Sequence, residues 1–474
     1  MFEDKKTFKG KRVTIMGLDA AGRGIQDARF LLEQGAEVIA TDLKTSEQLP
    51  EAVALAQEFP HLTLHLGGHS LADFADRDFV IRAALAPLDS PYLAHARAHH
   101  VPVVSDETLF LRYAPEVLTI GVTGTRGKTT VTHLINEVLT VAGRRVYLGG
   151  NVQGRSLLPL LTTVQSGDVI LMELDSWKLQ SFAEDKRSPH IAVFTTFFPD
   201  HLNYYKGDLE KYFQDKASIF YNQEPGHSLV VTEQVAAELR TRGVARKPDV
   251  VVRAADIPSD WTLQLLGAHN RENAALALAV ARQLGIFDVV TREAFADFAG
   301  VPGRLELAHT IEGVLYYNDT TATSPEGVLA ALSAFADHKG KIILIGGGAD
   351  KDLDYHTYAA TVPNYVKALI LFRGGASDKI LTALGVAIES DCTKTGPEAL
   401  LPDALGSKAS RFRTVCQNFP IVSDVTSMQE ALTQARSFAV RGEIVLLSPG
   451  AASFGVFKNE YDRGDQFVVE VKKL

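Results

Sequence analysis

The segment between residues 123 and 130, TGTRGKTT, has the residue types and spacing of a phosphate-binding loop. Its glycines let successive backbone N–H groups and the start of a following helix point at an anion. Lys128 adds a positive charge for the outer phosphates, and the Thr129 hydroxyl is placed to bind magnesium. A glycine-rich turn with a solvated lysine is the alternative. The predicted ATP-binding residues of the loop are Gly124, Thr125, Arg126, Gly127, Lys128, Thr129 and Thr130.

Charged side chains follow two further apolar runs and could complete a metal site. Glu173 ends the run GDVILMEL, whereas Asp200 and His201 follow HIAVFTTFF. Because the carboxyl ends of parallel strands meet at one crevice, we expect these groups beside the loop. Glu173 and His201 could then bind magnesium, although magnesium prefers oxygen ligands. Taken singly, each residue has an ordinary alternative as a solvated carboxylate, a helix cap or a surface histidine.

The segment GLDAAGRG, residues 17–24, is a degraded dinucleotide-binding loop with Asp19 in place of the second glycine. Asp42 ends the next predicted strand, where an acidic side chain often contacts a ribose. Asp19 would repel a pyrophosphate, so a nucleotide head group bound without redox chemistry fits better. A plain strand–turn–helix connection is one alternative. A nicotinamide-dependent oxidoreductase, which rests on Gly17, Gly22 and Asp42 alone, is another.

Short apolar strands alternate with helical patterns along the whole chain, which predicts an α/β fold with parallel sheets. The composition turns to proline and glycine at GVPGRLEL, residues 300–307, as at a domain junction. We therefore predict three domains in series. They are a Rossmann-like domain over 1–115, a central P-loop-type ATPase domain with a mainly parallel sheet over 116–302, and a C-terminal Rossmann-like α/β domain over 303–474.

The composition excludes several classes of protein. Apolar residues make up 46% and charged residues 22% of 474 residues, as in soluble globular proteins. A net charge of −9 argues against general binding to nucleic acid. The two cysteines, Cys392 and Cys416, provide no disulfide framework or cysteine-rich metal site. No apolar run approaches the ~18 residues of a membrane span, and the first residues lack a signal-peptide core. These features predict a cytoplasmic protein without membrane insertion.

Together the motifs resemble those of the Mur ligase family, the ATP-dependent amino-acid ligases of peptidoglycan synthesis. The matching segments are TGTRGKTT, GGNVQGRSLL, ELDSWKLQSF, PDHLNYY, FQDKASIF, GAHNRENAALAL, GVPGRLE and NDTTATSP. Two C-terminal segments, GGADKDLDY and LSPGAASFGVFKNEYDRGDQF, are closest to the members that add D-glutamate. The resemblance covers nearly the whole chain.

The resemblance implies a two-step ligation in cytoplasmic peptidoglycan precursor synthesis. The carboxylate of UDP-N-acetylmuramoyl-L-alanine would attack the γ-phosphate of ATP and give an acyl phosphate. The amine of D-glutamate would then attack the acyl carbon, with two Mg²⁺ ions offsetting the phosphate charge. We expect a monomer. The alternatives are a ligase for another acidic amino acid, such as L-glutamate, and a non-catalytic nucleotide-binding relative.

The resemblance also assigns roles to individual residues. The implied catalytic residues are Lys128, Glu173, His201 and Lys216. The implied metal ligands are Thr129, Glu173, His201 and Lys216, the last as a carbamate formed with carbon dioxide. Further ATP contacts would come from Asn270, Asn273, Arg304 and Asp319. The UDP substrate would contact Leu18, Asp19, Asp42, Lys44 and Asn151. The amino acid would contact Thr323, Lys351 and Ser453.

The chain departs from the family pattern at three places. Thr321 stands where the D-glutamate-adding members usually carry lysine, and Gly303 stands where many relatives carry histidine. The segment RAALAPLDSP, residues 82–91, lacks the usual serine-proline-glycine sequence of the UDP pocket. These changes leave the ATP-binding residues intact, but they leave the identity of the acidic amino acid open.

Overall fold

The computed structural model describes residues 8–18, 22–83, 86–152, 156–201, 204–265, 267–385, 411–414 and 420–474. Asp19, Cys392 and Cys416, on which sequence predictions were made, lie outside these ranges. The chain divides into two compact units. The first consists of Met1–Leu263 and Ala268–Phe298, and the second consists of Gln264–Gly267 and Ala299–Leu474.

The N-terminal part of the first unit is a parallel sheet with strand order β3-β2-β1-β4-β5. Its strands are β1 (Arg12–Met16), β2 (Glu37–Asp42), β3 (Leu62–Leu66), β4 (Phe79–Arg82) and β5 (Val103–Val104). Its helices are α1 (Arg23–Glu33), α2 (Pro50–Glu58), α3 (Pro91–Ala98) and α4 (Asp106–Tyr113). The strand order reverses between β1 and β4, and ligands of open α/β sheets bind at such a point.

The remainder of the first unit is a second parallel sheet, with strand order β11-β10-β9-β6-β8-β7. Its strands are β6 (Leu118–Thr123), β7 (Val146–Gly150), β8 (Val169–Glu173), β9 (Ile191–Phe194), β10 (Ser228–Thr232) and β11 (Val250–Val252). Its helices are α5 (Lys128–Val141), α6 (Ser176–Glu184), α7 (Leu209–Tyr221), α8 (Glu233–Thr241), α9 (Ala268–Gln283) and α10 (Asp288–Asp297). Because β6 lies between β8 and β9, the loop after β6 is flanked by the ends of both neighbours.

The second unit contains a mixed sheet with strand order β12-β13-β18-β14-β15-β17-β16. Its strands are β12 (Glu306–Ile311), β13 (Val314–Asn318), β14 (Ile342–Gly347), β15 (Val366–Phe372), β16 (Arg411–Thr414), β17 (Pro420–Val425) and β18 (Ile444–Leu447). Its helices are α11 (Pro325–Ala334), α12 (His356–Thr361), α13 (Gly375–Ala383), α14 (Met428–Phe438) and α15 (Glu460–Val471). The outermost pairs, β12–β13 and β16–β17, are antiparallel, whereas the inner strands are parallel.

The predicted α/β class is therefore confirmed. The central strands read as continuous apolar runs because helices cover both faces of a parallel sheet, and all five residues of β8 are buried. The domain boundaries at 115/116 and 302/303 stay predictions. None of the helices in the described ranges combines the length and apolarity that a bilayer crossing requires.

Candidate active site

The loop of residues 124–127 connects β6 to α5 and is held by the segment that follows β9. Thr125 N donates to Thr196 O at 2.7 Å, and Arg126 N donates to Thr196 Oγ1 at 2.9 Å. α5 begins after Gly127, which has φ 86° and provides no side-chain cap. The first N–H groups of an uncapped helix lack intrahelical partners and carry partial positive charge. The loop can therefore receive an anion, as its sequence predicts.

Two lysine side chains converge on one backbone carbonyl of this loop. Lys128 Nζ and Lys216 Nζ each donate to Gly124 O at 2.9 Å. Lys216, on α7, is only 1% exposed. Burial lowers the pKa of Lys216 well below its ordinary value, and the charge of Lys128 lowers it further. A buried amine beside a second cation is thereby shifted toward its neutral, nucleophilic form.

The predicted magnesium ligands Thr129 and Glu173 are in contact. Thr129 Oγ1 donates to Glu173 Oε1 at 3.2 Å, and Glu173 is buried at the end of β8. Asn151 lies directly beside this pair, because its backbone N donates to Glu173 O at 2.8 Å. Its side chain donates to Asp175 Oδ2 at 2.7 Å. The edge of the sheet thus presents a hydroxyl, two carboxylates and an amide next to the loop.

His201 follows in the same neighbourhood, with the uncommon positive φ of 54°. Its ring centroid lies 4.6 Å from that of Trp177 and 6.0 Å from that of Tyr212. Partial burial lowers the pKa of His201, and the charges of Lys216 and Lys128 lower it further. The imidazole is therefore biased toward the neutral form that binds metals.

These side chains fit a magnesium-bound triphosphate better than an ion held by protein alone. Over the described ranges, no group of three or more His, Cys, Asp or Glu side chains is arranged to hold a metal. Magnesium usually takes one or two carboxylates and completes its shell with phosphate oxygens and water. Thr129, Glu173 and His201 can supply that smaller share, and a carbamate on Lys216 would add a further oxygen.

Asn270 and Asn273, the predicted adenine contacts, lie near the start of α9. Both are buried, and Asn273 Nδ2 donates to Asn270 Oδ1 at 2.8 Å. A Cβ atom added to Gly127 would lie 2.6 Å from Asn273 Oδ1. The structure thus brings this asparagine pair to the phosphate loop, and its contact with adenine stays a prediction.

Asp42, at the end of β2, organises the predicted UDP-binding turn of the first sheet. Asp42 Oδ2 accepts from Leu18 N at 2.7 Å, and Asp42 Oδ1 accepts from Lys44 N at 2.9 Å. Three of the predicted UDP residues are therefore in contact. Because each carboxylate oxygen accepts one backbone N–H group, Asp42 joins the residues that follow β1 to those that follow β2.

The second unit contains the remaining predicted ATP and amino-acid residues. Asp319 is buried, where its carboxylate accepts from Ser448 Oγ at 2.8 Å and from Leu305 N at 3.2 Å. Burial raises the pKa of Asp319 to about 7. Arg304 and Lys351 are exposed, Thr323 is partly buried and Ser453 is buried.

Two of the departures from the family pattern are in direct contact. Thr321 Oγ1 donates to Gly303 O at 2.9 Å. Gly303 has φ 73°, and a Cβ atom added there would lie 2.8 Å from Thr320 Cγ2. Gly303 and Thr321 therefore pack against each other. The larger histidine and lysine that relatives carry at these two positions would not fit this packing without a change in the neighbouring residues.

Sequence reasoning missed a buried charged cluster between the first and second sheets. Lys178 on α6 donates to Glu107 on α4 and lies 3.7 Å from Asp106 Oδ1. A second contact comes from the first sheet, where Arg82 at the end of β4 donates to Trp177 O at 2.8 Å. Lys178 lies within the segment ELDSWKLQSF, but nothing in the sequence indicates a partner 71 positions away.

Reasoning from the sequence also missed Arg463, in the segment YDRGDQF. Its side chain is fully buried on α15 and contacts the segment that contains Asp319 and Thr323. Nothing in the sequence assigns this arginine a role, and only the packing of α15 shows that it is buried.

A parallel sheet with a glycine-rich loop before an uncapped helix is typical of nucleotide-binding α/β proteins. Comparison with known families is more specific. The description "Mur ligase middle domain" matches residues 122–260, and "Mur ligase, glutamate ligase domain" matches residues 303–450. The chain belongs to the Mur ligase family of ATP-dependent ligases.

Individual proteins extend the similarity over nearly the full length. The UDP-N-acetylmuramoylalanine--D-glutamate ligase of Roseiflexus sp. (strain RS-1) is 34% identical, with 97% of each chain covered. The protein of the same name from Symbiobacterium thermophilum is 32% identical, with 98% of each chain covered. The crystal structure of the UDP-N-acetylmuramate-alanine ligase MurC from Thermotoga maritima has a TM-score of 0.58 at 18% identity, with 98% of this chain and 99% of that chain covered. The last likeness shows a shared fold.

Family membership implies the use of ATP and magnesium. It also argues against a nicotinamide-dependent oxidoreductase, because the matching families and proteins are ligases.

Proposed function

We propose that this protein joins D-glutamate to UDP-N-acetylmuramoyl-L-alanine, with ATP converted to ADP and phosphate. The two full-length relatives named for this reaction support the substrate pair. The structural observation that carries the proposal is the convergence of Lys128 and Lys216 on Gly124 O beside the Thr129–Glu173 contact. This arrangement suits activation of a carboxylate by a triphosphate.

In the first step, a carboxylate oxygen of the alanyl group forms a bond to the γ-phosphorus, and the bond from that phosphorus to the β–γ bridging oxygen breaks. The N–H groups of the loop and Lys128 hold the phosphates in line. Thr129, Glu173 and His201 would hold magnesium, which when bound offsets the negative charge of the reacting groups. The products of this step are ADP and an acyl phosphate.

In the second step, the neutral amine of D-glutamate attacks the acyl carbon. The bond from that carbon to the phosphate oxygen breaks, inorganic phosphate leaves with the electron pair, and the proton that the amine loses balances the charge of the released phosphate as HPO4²⁻. Lys351, Thr323 and Ser453 are the proposed contacts of the amino acid. Arg304 and Asp319 are proposed as further contacts of ATP.

Lys216 is proposed to be a carbamate in the active enzyme. Only a neutral amine reacts with carbon dioxide, and burial with the nearby Lys128 lowers the pKa of Lys216 toward that form. The product replaces a cation with oxygen anions that suit magnesium. Labelled bicarbonate should give a carbamate signal in nuclear magnetic resonance that is absent from Lys216→Met. A wild-type protein without that signal contradicts the proposal.

We also propose which segment of the chain binds each substrate. Residues 1–115 would bind UDP through Leu18, Asp42 and Lys44, residues 116–302 would bind ATP, and residues 303–474 would bind the amino acid. Asn151 would face the muramoyl substrate from the second sheet. We further propose a cytoplasmic monomer, which sedimentation at several protein concentrations and cell fractionation would test.

A ligase for another acidic amino acid is the second candidate. The observation that favours it is the Thr321–Gly303 contact, where the relatives' usual lysine charge is absent. The test is phosphate release from ATP, magnesium and UDP-N-acetylmuramoyl-L-alanine with a panel of amino acids that includes D- and L-glutamate. Release that requires D-glutamate supports the proposal, and a preference for L-glutamate favours the second candidate. Tight ATP binding without turnover on any amino acid would instead indicate a non-catalytic relative.

A further inference from the structure

Arg463 is a buried cation whose hydrogen-bond partners are all neutral. Its side chain is 0% exposed. Its Nε donates to Thr320 Oγ1 at 3.1 Å, its Nη2 to Thr320 O at 2.9 Å, and its Nη1 to Ala451 O at 3.3 Å. Within the described part of the chain, no carboxylate lies within ion-pair distance of this guanidinium. Burying a charge without a counter-charge is costly, and hydrogen bonds to neutral acceptors offset only part of that cost.

The contacts of Arg463 hold one short segment in place. Thr320 lies between Asp319 and Thr321, and its hydroxyl donates to Glu460 O at 2.8 Å. A Cβ atom added to Gly464 would lie 2.7 Å from Thr320 Cγ2. The absence of a side chain at 464 thus lets α15 approach the segment closely, and the arginine beside it forms the hydrogen bonds. The position of Thr323 follows from the same segment.

Arg463 also has charged neighbours, Lys351 and Glu460. Lys351 and Arg463 are near enough for the arginine to lower the pKa of Lys351, after the larger effect of desolvation. Glu460 opposes both cations electrostatically, although it forms no ion pair with either in the described structure. Arg463 and Lys351 are therefore neighbouring cations on the unit that contains the proposed amino-acid contacts.

We infer that Arg463 is a positioning residue for the acidic amino acid: it fixes residues 319–323 through Thr320 and adds a positive charge, in no ion pair within the described structure, beside Lys351. This inference rests on the proposed function and deepens it, because it gives this chain a second cation for a dicarboxylic substrate. It also explains how the site can attract such a substrate with Thr321 in place of a lysine.

The test compares Michaelis constants for three substrates in four variants. Arg463→Met removes the charge, Arg463→Lys keeps the charge with a poorer hydrogen-bond geometry, and Thr320→Val keeps the charge but removes the hydroxyl acceptor. Lys473→Met is the matched control, since Lys473 lies just after α15 and is paired with Glu470 at 2.6 Å. Thermal unfolding of each variant reports on folding.

The expected result is selective. Arg463→Met should raise the KM for D-glutamate by about tenfold, as for loss of a charge acting over several ångströms, with far smaller changes in KM for ATP and the UDP substrate. Arg463→Lys should recover part of the loss, and Thr320→Val should lie between wild type and Arg463→Met. The control Lys473→Met should resemble wild type. If Arg463→Met does not fold, Arg463→Lys and Thr320→Val decide the question by the same selectivity.

Two outcomes are adverse, and they can be distinguished. A wild-type protein without amino-acid-dependent phosphate release overturns the proposed function and this inference with it. An active wild type whose variants lose affinity for ATP and D-glutamate equally, or lose only turnover and thermal stability, overturns the role of Arg463 alone.

Discussion

Lys178 of α6 donates a hydrogen bond to Glu107 of α4, which joins the helices of the first and second sheets through a buried ion pair. Lys178 is 3% exposed and Glu107 is 0% exposed. Arg82 crosses the same boundary in the opposite direction to Trp177 O. The two sheets therefore lie in one compact unit that is held together partly by charged groups shielded from water.

The replacement Lys178→Met should destabilise the protein strongly. It leaves the Glu107 and Asp106 carboxylates buried without their cation, and breaking a buried pair in this way costs about 3–5 kcal/mol. Denaturant unfolding measures the change. Arg97→Met is the control, because Arg97 joins the same two parts through Glu184 in a pair with both side chains more than 30% exposed. Loss of that pair should cost less than about 1 kcal/mol. Equal losses of unfolding free energy in the two variants would show that burial does not decide how much each ion pair contributes.

The same cluster predicts a dependence of stability on pH. Burial raises the pKa of Asp106 to about 7, with the Glu107 charge adding to the effect. Despite its burial, the pKa of Glu107 is lowered to about 2 by Lys178 and Asp106. A carboxyl group whose pKa is raised by folding lowers the stability of the protein as the pH rises toward that raised pKa. A carboxyl group whose pKa is lowered by folding lowers the stability as the pH falls toward the lowered pKa. The contribution of this pair should therefore be greatest near pH 4 to 5, roughly midway between these changes.

Asp106→Asn tests that dependence, because the amide keeps the shape but cannot ionise. The decline in unfolding free energy between about pH 4 and 7, from the ordinary pKa of the carboxyl to its raised value, should become shallower in the variant. Asp27, Arg23, Glu107 and Lys178 face the same group, and burial also raises the pKa of Asp27. Urea unfolding over this range is the measurement. An unchanged slope would mean that Asp106 does not titrate there.

Gly124→Ala should abolish ATP binding. A Cβ atom at this position would lie 2.0 Å from Thr195 Oγ1 and 2.9 Å from Thr196 N, at a backbone φ of 147°. Gly143→Ala is the matched control: Gly143 also has a positive φ, 71°, but a Cβ atom there meets nothing within 4 Å. The control should lose about 1 kcal/mol of stability, the cost of a Cβ atom in the left-handed region, and keep its affinity. Calorimetric titration with ATP distinguishes the two, and normal binding by Gly124→Ala would exclude the loop as the phosphate site.

Thr129→Val should raise the magnesium requirement of the reaction. The substitution removes the hydroxyl beside Glu173, and loss of such a group near a metal typically costs about tenfold or more in metal affinity. Thr140→Val is the control on the same helix, since the Thr140 hydroxyl only donates to Asn136 O at the exposed surface. Phosphate release is measured against magnesium concentration at saturating ATP. If the two variants have the same dependence on magnesium concentration, Thr129 is not a magnesium ligand.

The local features were accessible from sequence because they depend on short stretches of chain. The phosphate loop needs only glycines that adopt positive φ, a strand before them and a helix after them. The alternation of short strands and helices likewise predicts the α/β class. Glu173 at the end of β8 and Lys216 on α7 were placed on the correct elements by the same local patterns.

The contacts between distant residues were decided by the tertiary structure. Lys216 reaches Gly124 O from 92 positions along the chain, and Arg463 reaches Thr320 from 143 positions. The sequence shows which side chains carry charge, but strand order and helix packing select which of them meet. Burial then changes what those groups do, because the same lysine or arginine has a different pKa and a different energy away from water. Residue types and local turns were thus determined by the sequence itself, whereas the pairing of buried charges required the complete fold.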